Sequence, residues 1–219
     1  MKKALGAPAY RVTFQFAVKQ GNAPDFLLDL QGEVNGDDLH YSYRLGTEQI
    51  ELITARGQSY AKGARSIGLP TTAKWYVTPP DVADAARPPF SPVDVLADSA
   101  GQLSAAVYQP FARESLDGQD CQVWRAVPKS LDETGLGNAL GQSQDAGAFG
   151  AIDQGEIKLW VCDDATLHQL SIDIAGHNPR QAIEKGTAKL LLHIWGFDTP
   201  IQINPPAGAE PLRVGTPKP

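Results

Sequence analysis

The residues able to do chemistry in this 219-residue chain are few and scattered. The four histidines are His40, His168, His177 and His193, each on a separate stretch. None stands at metal-ligand spacing from another or from a cysteine. His193 lies in an apolar run, where a hydrogen-bonded core histidine is the expectation. Asp163-Asp164 could attract a cation, but a tight turn accounts for both residues. Asp37-Asp38 follows a hairpin glycine and reads as a solvated turn. Gly135-Leu136-Gly137-Asn138-Ala139-Leu140-Gly141 is similar to a dinucleotide loop. Its spacing is off by one, however, and a polar segment precedes it where a strand is needed. H-E-x-x-H, G-x-S-x-G and P-loop motifs are absent. No enzyme and no cofactor are expected from this inventory.

Cys121 and Cys162 are the two cysteines. Both fall in alternating, strand-like segments, and neither belongs to a C-x-x-C. Two buried free thiols and a cross-strand disulfide are both compatible with this. The disulfide would close a loop of about 40 residues, stabilise by about 3–4 kcal/mol and require an oxidising compartment.

The elements that would position these groups are strands. Gly (21) and Pro (17) are dense enough to imply many turns. Tyr10, Val12, Phe14, Phe16 and Val18 alternate with polar residues, so one face of the first strand is apolar. Leu28, Leu30 and Val34 repeat the pattern, and Asn35-Gly36 marks a hairpin. Leu39, Tyr41, Tyr43 and Leu45 form the next apolar face. Gln49–Ala55 and Ser59–Lys62 follow, which makes an antiparallel meander of five strands. From Pro79 to Pro92 the density of proline predicts a loop over the sheet or its edge. Ser91-Pro92 has the form of a helix start, and Val93, Leu96 and Ala97 predict a short helix over Pro92–Ser99. A second helical piece is predicted over Leu131–Leu140, weakened by its glycines. Gly141–Gln154 reads as a mobile loop. Strands return at Glu156–Cys162 and Gln169–Ala175. Lys189–Gly196, apolar on both sides, predicts a strand buried on both faces. The tail after Pro205-Pro206, about residues 207–219, is expected to fray or run extended. No change of composition divides the chain, so one domain over residues 1–219 is expected.

The net charge of −6 argues against nucleic acid as a partner. No stretch of apolar residues is long enough to span a bilayer as a helix.

Taken in order, three passages resemble the LppX/LprAFG group of bacterial lipoproteins, which share the fold of the lipoprotein carriers LolA and LolB. The first is the opening strand pair Tyr10–Val34. The second runs from Gln49-Ile50-Glu51-Leu52-Ile53 through Gln58-Ser59-Tyr60-Ala61-Lys62-Gly63 to Lys74-Trp75-Tyr76. The third joins Leu116–Trp124, Ile157–Val161 and Leu167–Ile172 to the closing Phe197-Asp198-Thr199-Pro200-Ile201-Gln202-Ile203-Asn204-Pro205-Pro206.

The resemblance implies a mainly β (α+β) fold. A strongly curved antiparallel sheet of ten or eleven strands would form an incomplete barrel, with short helices covering its concave face. It also implies an apolar cavity for acyl chains, a non-catalytic role and export. The members' lipidated cysteine has no counterpart before Tyr10. Either the chain begins just after an export and anchor segment, whose lipid would hold the protein at a membrane surface, or this member is not anchored; the first is expected. The expected function is an extracytoplasmic carrier of a lipid or an acylated ligand, acting as a monomer. A non-catalytic envelope sensor or interaction protein is the alternative on the same fold. The candidate cavity lining is Val12, Phe14, Phe16, Leu28, Leu30, Tyr41, Tyr43 and Leu52 from the sheet, with Leu96 from the lid.

Overall fold

The computed structural model describes residues 9–63, 65–88, 108–134, 136, 147–197 and 199–212. Five strands follow one another from the start: β1 (Ala9–Gln20), β2 (Phe26–Asn35), β3 (Asp38–Leu45), β4 (Glu48–Ala55) and β5 (Gln58–Lys62). Their turns have the chemistry that tight hairpins need. Arg56 and Gly57 both take left-handed backbone angles, φ 55° and 75°. That twist matches the twist of the flanking strands. Next come β6 (Tyr76–Val77), helix α1 (Pro80–Ala85), β7 (Gln109–Leu116), β8 (Gln119–Ala126), β9 (Ala151–Cys162), β10 (Leu167–Asn178), β11 (Gln181–Trp195) and β12 (Glu210–Pro211).

All twelve strands lie in one sheet, in the order β12-β6-β5-β4-β3-β2-β1-β11-β10-β9-β8-β7. The chain is laid outward from β1, then resumes at the far edge and returns to the middle. There β11 pairs antiparallel with β1, from Arg11 opposite Trp195 to Gln20 opposite Gly186. The sheet is open, because β12 and β7 are its ends. It is also curved. Laid flat, twelve strands would span roughly 50 Å at the usual inter-strand spacing. Yet Ala61 on β5, Ile157 on β9 and residues from every strand between them join a single apolar cluster.

One row of side chains shows how that cluster is built. Ile50, Tyr43, Leu30, Phe14, Leu192, Leu170, Leu159 and Trp124 are register neighbours from β4 through to β8. All but Trp124 are buried. Burial of each such side chain stabilises by about 1.5–3 kcal/mol, so the alternation seen in the sequence is what closes the sheet on itself.

Short elements cover this inner face. α1 buries Ala83 and Ala86, and the Tyr43 hydroxyl donates to the Ala86 carbonyl at 3.1 Å. 3-10 turns at Arg65–Ile67 and Gly147–Phe149 contribute Ile67, Ala148 and Phe149. The last of these turns fits because Gly186 has no side chain: a Cβ there would lie 2.8 Å from the Phe149 ring.

The sheet has twelve strands among the described residues where ten or eleven were expected, because the two-residue β6 and β12 pair at its edge. Several stretches also depart from the sequence expectations. The proline-rich stretch from Pro79 is not all loop, because α1 begins at Pro80. Proline is tolerated at the first helical position, where its missing N–H costs nothing. Of the helix predicted over Leu131–Leu140, the described part is a 3-10 turn, Asp132–Thr134. The Thr134 hydroxyl donates to the Leu131 carbonyl and accepts from the Leu136 N–H, taking over backbone partners that a helix would use. Residues 135 and 137–140, and the whole of Pro92–Ser99 with Leu96, lie outside the described residues. Within Gly141–Gln154, residues 147–149 form a 3-10 turn and β9 starts at Ala151. β11 is buried on one face only, since Leu191 on the other is 36 % exposed. The tail runs extended at Glu210–Pro211, which pairs parallel with β6.

Two further apolar clusters sit on the outer face. Ile201 and Ile203 pack with Ala9, Ile53 and Ala55, tied down where the Asn35 amide donates to the Ile201 carbonyl at 2.9 Å. This explains the spacing of the closing Pro-Ile-x-Ile: alternate side chains brace the back of the sheet. Cys121, Val123, Trp160 and Cys162 form the other cluster.

Candidate functional site

The register brings the predicted lining together. Val12, Phe14, Phe16, Leu28, Leu30, Tyr43 and Leu52 are all at most 2 % exposed, on the inner face. Tyr41 is half-buried against the same cluster. Three neighbouring rows hold these eight residues: Val12 with Tyr41 and Leu52, Phe14 with Leu30 and Tyr43, and Phe16 with Leu28. Between Val12 and Tyr41 stands Gly32. A Cβ there would come within 2.4 Å of the Tyr41 ring, so the ring lies across the glycine and fills the place of its side chain. The sequence does not single out the inner-face contributions of Ile50, Leu69, Tyr76 and Phe149. Leu69 and Phe149 follow no strand periodicity, so only the tertiary structure assigns them.

Two phenols stand on this face. Burial pushes the Tyr43 hydroxyl up to about 12, and the nearby Glu48 carboxylate adds to the shift. Burial pushes Tyr108 up as well, and its hydroxyl has no hydrogen-bond partner among the described residues. At neutral pH both are uncharged, which is the form that burial favours.

A second grouping lies at one end of the sheet. Asp117 and Gly118 form the two-residue β7–β8 turn, with left-handed φ of 54° and 75°. That turn aims the Asp117 carboxylate at two histidines. Its Oδ2 is 2.8 Å from His168 Nδ1 and 3.0 Å from His193 Nε2. The other ring nitrogen of His168 is 3.2 Å from Asp164 Oδ2. His168 is 2 % exposed, and the irregular pairing between Leu167 and Gln169 lets it leave the strand's alternation. Burial acts against ionisation of the Asp164 carboxyl, yet the Thr166 N–H and His168 hold it below the usual carboxylate range. The arrangement ties the β7–β8 and β9–β10 turns to β11. Among the described residues no cluster of His, Cys, Asp or Glu could hold a metal ion. His193 is half-exposed and stacked on Trp195, with ring centroids 4.6 Å apart, so it is an outer-face residue and not a core histidine. Asp163-Asp164 does form a turn, and Asp164 gains the His168 contact that its spacing does not announce.

The cysteines are joined. Cys121 and Cys162 are directly opposite in register across β8 and β9 and form a disulfide. Of the two alternatives, the bonded one holds, because the strand pairing decides it.

No protein-family model and no curated protein matches the sequence. Solved structures do. LprF from Mycobacterium bovis aligns over 94 % of this chain and 93 % of its own, at 14 % identity and a TM-score of 0.51. The chain has the fold of LprF. The lipoprotein LppX of Mycobacterium tuberculosis also aligns, over 93 % of each chain, at 13 % identity and a TM-score of 0.41. The mainly β, open and curved sheet expected from the resemblance is found, and it is shared with LprF. Of the helices expected over its concave face, the described residues show α1 and 3-10 turns. At such identities what is shared with LprF is the course of the backbone, while the side chains that line this chain's sheet are its own.

Proposed function

We propose that the chain is an extracytoplasmic, non-catalytic carrier that holds the acyl chains of a lipid or an acylated ligand against the inner face of its sheet. The observation that supports this best is the extent of that face. One row of apolar side chains alone runs across eight strands, from Ile50 to Trp124. Among the described residues, α1 and single 3-10 turns cover it, with no second sheet or helical layer. A wall of Val12, Phe14, Phe16, Leu28, Leu30, Tyr41, Tyr43 and Leu52 suits hydrocarbon. Each buried methylene of an acyl chain contributes about 0.8 kcal/mol, so affinity needs no charged anchor. The fold shared with LprF supports the same reading. The Cys121–Cys162 disulfide supports export, because such bonds persist in oxidising compartments.

Native mass spectrometry of protein purified from a lipid-containing host tests this. The expected spectrum is a monomer carrying acyl species that are released on activation. A bare polypeptide mass, together with no uptake of a fluorescent diacyl lipid, would overturn the proposal.

A further inference from the structure

We propose that a recess on the outer face of the sheet, at the opposite side from the acyl wall, binds one neutral sugar unit of a glycan. The inference goes beyond the carrier reading and does not depend on it. The recess has a volume of about 300 Å³ and is lined by Arg11, Thr13, Gln31, Glu33, His40, Ser42 and Trp195 among others.

Strand register explains its shape. Two adjacent outer rows cross the centre of the sheet. One is Trp195, Arg11, Glu33 and His40. The other is His193, Thr13, Gln31 and Ser42. Large planar groups of the first row stand beside the short Thr13 and Ser42 of the second, which leaves a hollow.

The lining has the chemistry of hydroxyl recognition. Trp195 offers a flat apolar ring on which the C–H face of a pyranose can rest. One face of the ring is taken: it stacks on His193 at an interplanar angle of 18°, and His193 is held by Asp117 at 3.0 Å. The ring thus has a fixed orientation and one face left for a sugar. From Trp195 the recess runs across β1, β2 and β3, past the paired guanidinium and carboxylate of Arg11 and Glu33, 2.9 Å apart, to the Gln31 amide, the Thr13 and Ser42 hydroxyls and the His40 imidazole. Together they supply both donors and acceptors, as a hydroxyl needs. The ion pair leaves little net charge, which favours a neutral sugar over an anionic one. The hollow lies between the two outer apolar clusters, where neither the Ile201–Ile203 segment nor the disulfide cluster covers the sheet.

The test is saturation-transfer NMR on the full chain with glucose, N-acetylglucosamine and trehalose, and glucuronate as the charged counterpart. Saturable transfer from at least one neutral sugar is expected, exceeding that from glucuronate. Gln31→Ala and Trp195→Ala should each weaken it about tenfold or more. Trp195→Phe should restore part of the affinity, and Leu27→Ser, on the same face outside the recess, should leave it unchanged. Gln31 is exposed, so its variant remains informative even where Trp195→Ala fails to fold. No saturable transfer from any neutral sugar, or binding indifferent to Gln31→Ala, would overturn the proposal.

Discussion

The two faces of the same strands make opposite structures. The row through Phe14 is a line of buried hydrocarbon that joins both halves of the sheet. The next row along, through Thr13, faces outward and reads Lys62, Glu51, Ser42, Gln31, Thr13, His193 and Gln169. Its members hold one another by polar contacts, such as Lys62 to Glu51 at 2.9 Å. Apolar packing is non-directional and grows with the area buried, so the inner face closes around whatever fills it. Polar contacts at a wet surface are worth little each, so the outer face can stay irregular and keep recesses. The sheet is thus fastened from within, and its outer face is braced at two places, by Ile201 and Ile203 on one side and by the disulfide on the other.

The largest effect that would break this comparison is at adjacent positions of β1. Phe14→Ala should destabilise by about 3–5 kcal/mol, while Gln15→Ala should stay within about 0.5 kcal/mol, both read from urea unfolding. Equal losses would mean that the faces do not differ as described.

A second test sharpens what the outer brace contributes. Replacing both Cys121 and Cys162 by alanine should cost about 3–4 kcal/mol, because the bond closes a loop with a sequence separation of 41. Unfolding of the parent chain with and without reductant should show the same difference. A double variant as stable as the parent would remove the disulfide from the account.

The third test concerns the inner face's ionisable group. Tyr43 is raised to about 12 in the folded chain, against about 10 for an ordinary tyrosine. The folded state therefore favours the neutral phenol. The stability this gives is whole below pH 10 and is lost as pH rises from 10 through 12. The loss is on the order of 2 kcal/mol. Tyr43→Phe should flatten that part of the pH profile, and an unchanged alkaline slope would show that the hydroxyl does not meet a dry environment.

Most strands were legible because a face that is buried on one side only leaves a period of two in the residues. β7 was not legible: Gln109–Leu116 carries Pro110, polar residues on both faces and an exposed Phe111, so no alternation marks it. That the residues from Val12 to Leu52 share the inner face could be read in advance because their strands are consecutive hairpins, in which neighbours in sequence are neighbours in space. The Asp117–His168–His193 grouping could not. It needs a turn from one hairpin, a strand irregularity in a second and the end of β11.

The sequence by itself determined which residues of most strands face inward, where most hairpins turn, and that a glycine- and proline-punctuated sheet would form. These are local properties, set by side-chain alternation and by the few residues that accept turn geometry. The tertiary structure alone decided that β11 would lie beside β1, that Cys121 would meet Cys162, and that Trp195 would stand next to Arg11. Each of those depends on register between strands far apart in the chain, and register is chosen by the packing of the whole inner face at once.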